Sequence, residues 1–587
     1  MSDESRYDVV IVGAGLGGLA LARQLLLCSD KRVLLIDKRS EIPPKKQKVG
    51  ESTVQVSAYY YAKVLDMEEH LLIEHYMKYN LRFYWKTPGK ANDCFEHYGH
   101  AYIRRFSNIC CYQLDRNKFE AELLRVNLQD PNFTFQHSVS DLEIDLADEG
   151  PHSVKFKIDG EKGSFQVPWV VDTSGRGKFL AKKLGLAKEN PIRHGTSFLW
   201  VDGLVNIDKL TELSPRDIRL KKDRAETGHT PYWLATNHFC GEGFWFWVIP
   251  LHHKTSLGLV YDNQIFPRER AATAKKLIEW VCEEFPLFAR DLPNRRILDQ
   301  SAIKDFSYDC VQTINRSRWA LSGEAGRFTD PLYSPGSDLI SLHNTLITDA
   351  IMTDEPEELA SKCWAYEQLM QVFYQGTVPA YAVTYDALGD QEAFVLKYVW
   401  ELSVYFSFYV FPFINDLFTD RRFLFSYMRK FSRLGAINRN LQSLISAYFQ
   451  WKKARTEPAR EPIFYELMDV RTLAEAEKTF YYVGISVDEA GAKLDEQLAN
   501  LEELARFFIA HVYSVVLDDA SVITNRAFVE SIKLNETRFD PPAMRDDYSK
   551  YEASTGSYRW SLDPTVLSRV RGDQCHQTIE VELDLAV

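Results

Sequence analysis

Three glycines and one aspartate carry the first legible chemistry in this sequence. Gly13, Gly15 and Gly18 stand at G-x-G-x-x-G spacing, and Asp37 follows nineteen residues after Gly18. Gly13 permits a tight turn, Gly15 lets the backbone approach a pyrophosphate, and Gly18 lets a helix pack closely on its strand. An acid at the distance of Asp37 accepts from ribose hydroxyls. Positioning these four residues takes a strand, a helix and a second strand. Residues 8–12 are short, apolar and β-branched, residues 19–26 read as a buried helix, and residues 33–36 as a second apolar strand. The helix N-terminus presents free N–H groups and a positive dipole end to the phosphates. Together they predict a dinucleotide-binding βαβ unit.

Two further strand-and-glycine turns follow. Residues 169–172 run into Gly175-Arg176-Gly177, and residues 319–322 run into Gly323-Glu324. Recurrent turns of this kind are what a flavin domain of the glutathione-reductase type needs. Residues 197–201, 244–249 and 255–260 read as strands of a substrate-side sheet. The fold class is therefore α/β: a glutathione-reductase-type Rossmann FAD-binding domain, an antiparallel substrate-side sheet at about 190–300, and an α-helical C-terminal region. The expected division is 1–356 for the FAD-binding, monooxygenase-like module with its sheet, and 357–587 for mainly helical chain covering the substrate pocket.

Local signals refine this outline. Ser52 or Thr53 is expected to cap a helix running to about residue 75, and Asp115 to cap another. Residues 76–85 read as a strand entered by Lys78, residues 133–167 as a meander, and residues 271–285 and 337–352 as helices. Helices over 473–516 should break at Val483-Gly484-Ile485-Ser486, and 578–585 reads as a strand within an otherwise irregular tail. The Phe406–Phe413 run reads as core.

Bulk composition narrows the partners. The 587 residues are 45% hydrophobic and 26% charged, as in a globular protein with a large core. A net charge of −12 argues against nucleic acid or an anionic membrane as the main partner. Nine cysteines with no C-x-x-C pair give no zinc site and no disulfide framework, so no metal is expected and a cytoplasmic setting is. The most apolar later stretch, residues 402–414, is too short to span a bilayer, so no transmembrane segment is expected.

Four stretches carry a family resemblance. Beside the glycine turn stand Trp245-Phe246-Trp247-Val248-Ile249-Pro250, Phe328-Thr329-Asp330-Pro331-Leu332-Tyr333-Ser334-Pro335-Gly336, and Lys78, which opens Lys78-Tyr79-Asn80-Leu81-Arg82-Phe83 sixty residues past Gly18. These match the WxWxIP, Fx2Px2SxG and K-x-x-[IL]-[KR]-F patterns, so the chain resembles the flavin-dependent halogenases, a branch of the FAD monooxygenases. Gly50-Glu51-Ser52-Thr53 resembles their GE[AS]T segment near the flavin. The resemblance covers roughly residues 7–350.

The resemblance implies an FAD-dependent halogenase. In that family reduced flavin, dioxygen and a halide (chloride or bromide) yield hypohalous acid, and a lysine in a separate pocket relays it to an electron-rich ring. It implies Lys78, Tyr333 and Ser334 as catalytic residues. It implies Gly13, Gly15, Gly18, Asp37, Lys38, Ser52, Thr53, Arg116, Asp330 and Gly336 as FAD-binding residues. A lysine suits the relay because burial lowers its pKa toward neutrality. Tyr333 stands where tryptophan halogenases carry a glutamate, which points to phenol- or pyrrole-type substrates, free or tethered to a carrier protein. With no second dinucleotide fingerprint, reduced FAD would come from a separate flavin reductase. Pro335 has no N–H to offer a halide, and the alternative is a monooxygenase or oxidase without halide use. A third reading is a partner-binding flavoprotein without turnover, whose interaction surface would be the aromatic residues 398–449.

Overall fold

A computed structural model describes residues 7–50, 52–220, 231–455 and 460–571; the strand expected at 578–585 lies outside them. Its first layer is a six-stranded sheet in the order Ile314–Asn315, Trp319–Leu321, Trp169–Asp172, Val9–Val12, Val33–Ile36, Phe133–Gln136. All neighbours run parallel except the first pair. Val9–Val12 and Val33–Ile36 are buried throughout, because helices cover one face of this parallel sheet and the antiparallel strands of residues 140–167 cover the other. One of these is the Leu16–Cys28 helix that follows the glycine turn. The meander appears as Ser140–Asp145, His152–Ile158 and Glu161–Val167, an antiparallel side sheet.

The substrate-side sheet is larger than expected and mixed rather than antiparallel. It has eight strands, in the order Ile297–Ile303, His194–Asp202, Lys254–Asp262, Phe244–Leu251, Thr236–Gly241, Leu81–Lys86, Tyr98–Tyr102, Phe464–Glu466. Thr236–Gly241 pairs parallel with Leu81–Lys86, and Phe464–Glu466 pairs parallel with Tyr98–Tyr102. Strands distant in sequence thus meet here, which local patterning cannot show.

The C-terminal half is built from long helices, chiefly Pro356–Ala382, Gln391–Tyr405, Arg421–Lys453 and Val487–Leu517. The expected break precedes Val487, where Ser486 accepts from the Glu489 N–H and the Glu489 carboxylate accepts from the Ser486 N–H. Gln391–Ile414 forms a continuous helical stretch of 24 residues, longer than the one picked out in the sequence and with a window apolar enough to cross a membrane, but 72% of that window is buried inside the protein. It is a core helix, carrying a π turn at Phe406–Val410. One hydrophobic core joins Val9 and Leu19 of the first βαβ unit to Phe394, Leu441 and Leu504 of the helices.

Candidate active site

The glycine turn has the geometry its spacing predicts. Gly13 sits at φ +110°, and a side chain there would strike the Thr173 carbonyl at 2.8 Å. A Cβ on Gly18 would lie 2.1 Å from the Gly13 carbonyl oxygen. A Cβ on Gly15 would meet nothing within 4 Å, so the cradle at the N-terminus of Leu16–Cys28 opens outward. Asp37 ends the second strand and accepts from the Ala14 N–H at 2.7 Å. Burial alone would raise its carboxyl, but the Arg39 guanidinium and the N–H groups of Arg39 and Ala14 hold it below its ordinary value. A charged acid beside an open helix N-terminus fits the adenosine and pyrophosphate of FAD.

The other cofactor candidates are placed unevenly. Lys38 is exposed beside Asp37. Arg116 donates to the Val49 carbonyl at 2.8 Å and to Glu120 at 2.7 Å, and its guanidinium lies against Gly50. Gly336 opens the Pro335–Ile351 helix and faces the central cavity. Asp330 differs from expectation. Its carboxylate is fully buried and bonded to His194 Nδ1 at 2.6 Å, the Tyr385 hydroxyl at 3.0 Å and the Leu332 N–H at 2.8 Å. With those partners it braces the turn rather than reaching a cofactor.

Ser52 and Thr53 also depart from the sequence reading. Val54, not either of them, caps the short Gln55–Tyr59 helix. Their hydroxyls are engaged elsewhere: Thr53 Oγ1 accepts from the Tyr112 N–H at 2.8 Å, and Ser52 Oγ lies 2.9 Å from Thr236 Oγ1. Ser52 bridges to Gln113, so this segment is extended edge pairing rather than a helix start.

Lys78 is not on a strand. It lies in the link between Tyr76–Met77 and Leu81–Lys86, a link turned by Asn80 at φ +64°. The link drives the side chain inward: Lys78 is 4% exposed, and its ammonium donates to Ser52 Oγ at 2.8 Å and to the Thr53 carbonyl at 2.6 Å. Burial lowers its pKa to about 8, while Cys111 and Asp338 favour the charged form. Asp338, in the first turn of Pro335–Ile351, accepts from the Ser57 N–H at 2.8 Å and from the Tyr405 hydroxyl at 2.6 Å. Burial raises its carboxyl to about 6 against those donors and Lys78.

Lys78 and Asp338 face one cavity of about 210 Å³. An apolar cavity of about 150 Å³ holds benzene, so this one accommodates a substituted ring. Its wall runs from Pro335 and Gly336 at the helix start past Lys78 and Cys111 to Tyr333, Tyr398 and Glu401. The Gln391–Tyr405 helix and its π turn supply Tyr405, Phe406 and Tyr409, so Phe406 belongs to the pocket rather than to core alone. Tyr333 lines this space with its hydroxyl shielded beside Glu401, and Ser334 holds a left-handed turn at φ +58° that launches the helix. Burial, then the nearby Glu401 carboxylate, raises the Tyr333 phenol well above its ordinary pKa.

Trp245 and Trp247 share a strand face with rings 5.7 Å apart, but both are core, held by the Tyr385 hydroxyl and Ser256 Oγ respectively. Arg176 lies near the Asp305 carbonyl and away from the cavity. The Asp, Cys and His donors compact enough for a metal ion, Asp93, Cys94 and His97, lie outside the cavity among the described residues.

Sequence reasoning missed Asp338, Cys111 and Glu401. Glu401 left a trace: an acid between Trp400 and Leu402 in an apolar run, four residues after Lys397, is the spacing of a helical ion pair. Asp338 and Cys111 left none, since only the fold brings them beside Lys78.

Comparison with known proteins agrees with this geometry. Residues 11–64 match the NAD(P)-binding Rossmann-like domain. The flavin-dependent halogenase chlA of Dictyostelium discoideum is 23% identical over 71% of this chain and 73% of its own length. The 1H-pyrrole-2-carbonyl-[peptidyl-carrier protein] brominase of Pseudoalteromonas luteoviolacea is 26% identical over 45% of this chain and 54% of its own. The crystal structure of halogenase PltM with phloroglucinol and FAD superimposes with a TM-score of 0.58 over 85% of this chain and 97% of that one, at 16% identity. By sequence this chain is similar to curated flavin-dependent halogenases, and it shares the fold of halogenase PltM.

Proposed function

We propose that this protein halogenates an electron-rich aromatic molecule of phenol or pyrrole type, using reduced FAD, dioxygen and halide, with Lys78 relaying hypohalous acid. Bound reduced FAD supplies the two electrons that activate dioxygen for halide oxidation. The observation that carries the reading is the amine of Lys78, buried at the cavity wall with two fixed acceptors and a pKa near 8. In the neutral amine, Ser52 Oγ and the Thr53 carbonyl take up both N–H bonds and leave the lone pair free. That lone pair can take the halogen, or, protonated, hold hypohalous acid by hydrogen bond. Gly336, on the cavity wall in the first turn of its helix, retains an N–H that an anion could accept from.

The substrate is free or tethered to a carrier protein, as the name of the pyrrole-2-carbonyl brominase indicates for that relative. Reduced flavin comes from a separate reductase, and the enzyme works in the cytoplasm. The helices after residue 357 roof the pocket. A second reading, a monooxygenase or oxidase without halide use, is favoured by Pro335 at the first helical position, which removes one donor.

The test supplies reduced FAD, oxygen and bromide with a panel of phenols, pyrroles and indoles, and reads halogen isotope patterns by mass. Halogenated product from the wild type, and none from Lys78→Ala while flavin reoxidation continues, is expected. Hydroxylated products alone would replace this reading with the second.

A further inference from the structure

The stretch that follows Asp37 carries the opposite charge to the chain as a whole. Residues 38–48 hold Lys38, Arg39, Lys45, Lys46 and Lys48 against a single acid, Glu41, in a protein whose net charge is −12. They form a strap with no helix or strand of its own. The strap leaves from Asp37, whose carboxylate takes the Ala14 N–H of the glycine turn. It runs on to Gly50, against which the Arg116 guanidinium lies.

The cations of the strap divide into two groups. Arg39 and Lys48 are engaged. Arg39 grips Asp37 through Nε at 2.9 Å and Nη2 at 2.7 Å, and Lys48 shares Glu120 with Arg116. Burial holds the Lys48 amine below its ordinary pKa although Glu120 pairs with it, and the charges of Arg116 and Arg39 add to the shift. Lys45 and Lys46 are exposed, and neither makes an ion pair among the described residues. The backbone beneath them is nevertheless pinned. Asn117 Nδ2 donates to the Pro44 and Lys46 carbonyls, each at 3.1 Å, and the Gln47 N–H donates to Asp299 at 2.9 Å. Exposed lysines ordinarily serve solubility alone. These two stand on an ordered strap joined to a cradle built for an anion, in a protein whose overall charge repels one.

We propose that Lys45 and Lys46 steer the dianionic pyrophosphate of FAD onto the glycine turn, setting how fast the cofactor arrives and not how long it stays. This rests on the reading above that reduced FAD comes from a separate reductase and is captured from solution. An enzyme supplied in that way loads its cofactor repeatedly, and a net charge of −12 opposes each approach of an anion. Charges farther away than a Debye length, about 10 Å at 0.1 M salt, are largely screened. The field met by an incoming pyrophosphate is therefore set by the strap and not by the acids spread over the rest of the surface. Grip is left to the N–H groups at the start of the Leu16–Cys28 helix.

Stopped-flow association of oxidised FAD with flavin-free protein, read by flavin fluorescence at about 20 mM and about 500 mM NaCl, tests this without turnover. At the lower salt Lys45→Gln/Lys46→Gln should slow association at least threefold, and Lys45→Glu/Lys46→Glu at least tenfold. Dissociation rates should agree within twofold. At the higher salt all three proteins should associate at one rate. Faster dissociation in place of slower association would make the lysines contact residues. Differences that persist at high salt would make the effect structural. Either result, or unchanged association at low salt, would overturn the proposal. Salt-dependent steering in a protein whose FAD, once bound, does not leave would sink the separate-reductase reading and leave the steering standing.

Discussion

Lys78 and Ser52 are joined by a 2.8 Å hydrogen bond that starts a directed chain. Thr236 Oγ1 donates to Gln113 Oε1 at 2.9 Å, so Ser52 Oγ must donate to Thr236 Oγ1 and accept from Lys78. The amine is therefore committed as a donor on this side, and its remaining valence is left to the cavity. Ser52→Ala should break the chain at its first link. Loss of an acceptor that favours the ammonium moves the Lys78 pKa further down. Halogenation per flavin reoxidised should fall about tenfold, the scale of one hydrogen bond to a charged group, with its pH profile displaced to lower pH. An unchanged profile would mean that Ser52 does not orient the amine.

Burying Lys78 has a cost whose pH window follows from the direction of its shift. The folded-state pKa, about 8, lies below the ordinary 10.5. Between those values the unfolded chain binds the extra proton, so stability rises with pH through the window. Below pH 8 the charged amine costs the fold on the order of 3 kcal/mol. Lys78→Met should raise the unfolding midpoint in denaturant at pH 7, and that advantage should vanish above pH 10.5. A destabilised variant at pH 7 would show that the two hydrogen bonds outweigh desolvation.

Two glycines of the turn should respond in opposite ways. A methyl on Gly18 would sit 2.1 Å from the Gly13 carbonyl oxygen, so Gly18→Ala should destabilise the domain by about 1–3 kcal/mol of overpacking. A methyl on Gly15 meets nothing, so Gly15→Ala should leave thermal unfolding of the apoprotein unchanged while weakening FAD by at least tenfold. Fluorescence titration of FAD, run beside thermal unfolding, separates the two effects.

The parts of the molecule legible in the sequence are those encoded locally. The glycine turn, the acid at Asp37, the Trp169–Asp172 strand and the Pro335–Ile351 helix depend on neighbours within a few residues, and periodicity and turn chemistry reveal them. The cap at Ser52 or Thr53 failed because partners 59 and 184 residues away claim those hydroxyls. Lys78 was recognisable by position, but its inward turn depends on Asn80 at positive φ, which the strand pattern conceals. Asp330 carries a motif position yet spends its carboxylate on His194 and Tyr385, from two other elements. The carboxylates of Asp338 and Glu401 reach the cavity only through tertiary packing of helices.

Asp338 should set the protonation of the amine it faces. It is buried beside Lys78 and helps keep the ammonium charged. Its own carboxyl is raised from 3.8 to about 6, so the folded state holds the extra proton in that interval and stability falls as pH climbs through it. Asp338→Asn removes this cost: the variant should match the wild type near pH 4 and exceed it at pH 7, offset in part by a poorer partner for the Tyr405 hydroxyl. In turnover, the rise in halogenated product per flavin reoxidised that accompanies freeing of the amine near pH 8 should move to lower pH in the variant. If Asp338→Asn leaves that limb where it is while Lys78→Ala abolishes it, the amine titrates without reference to Asp338 and the pairing has no role in the chemistry.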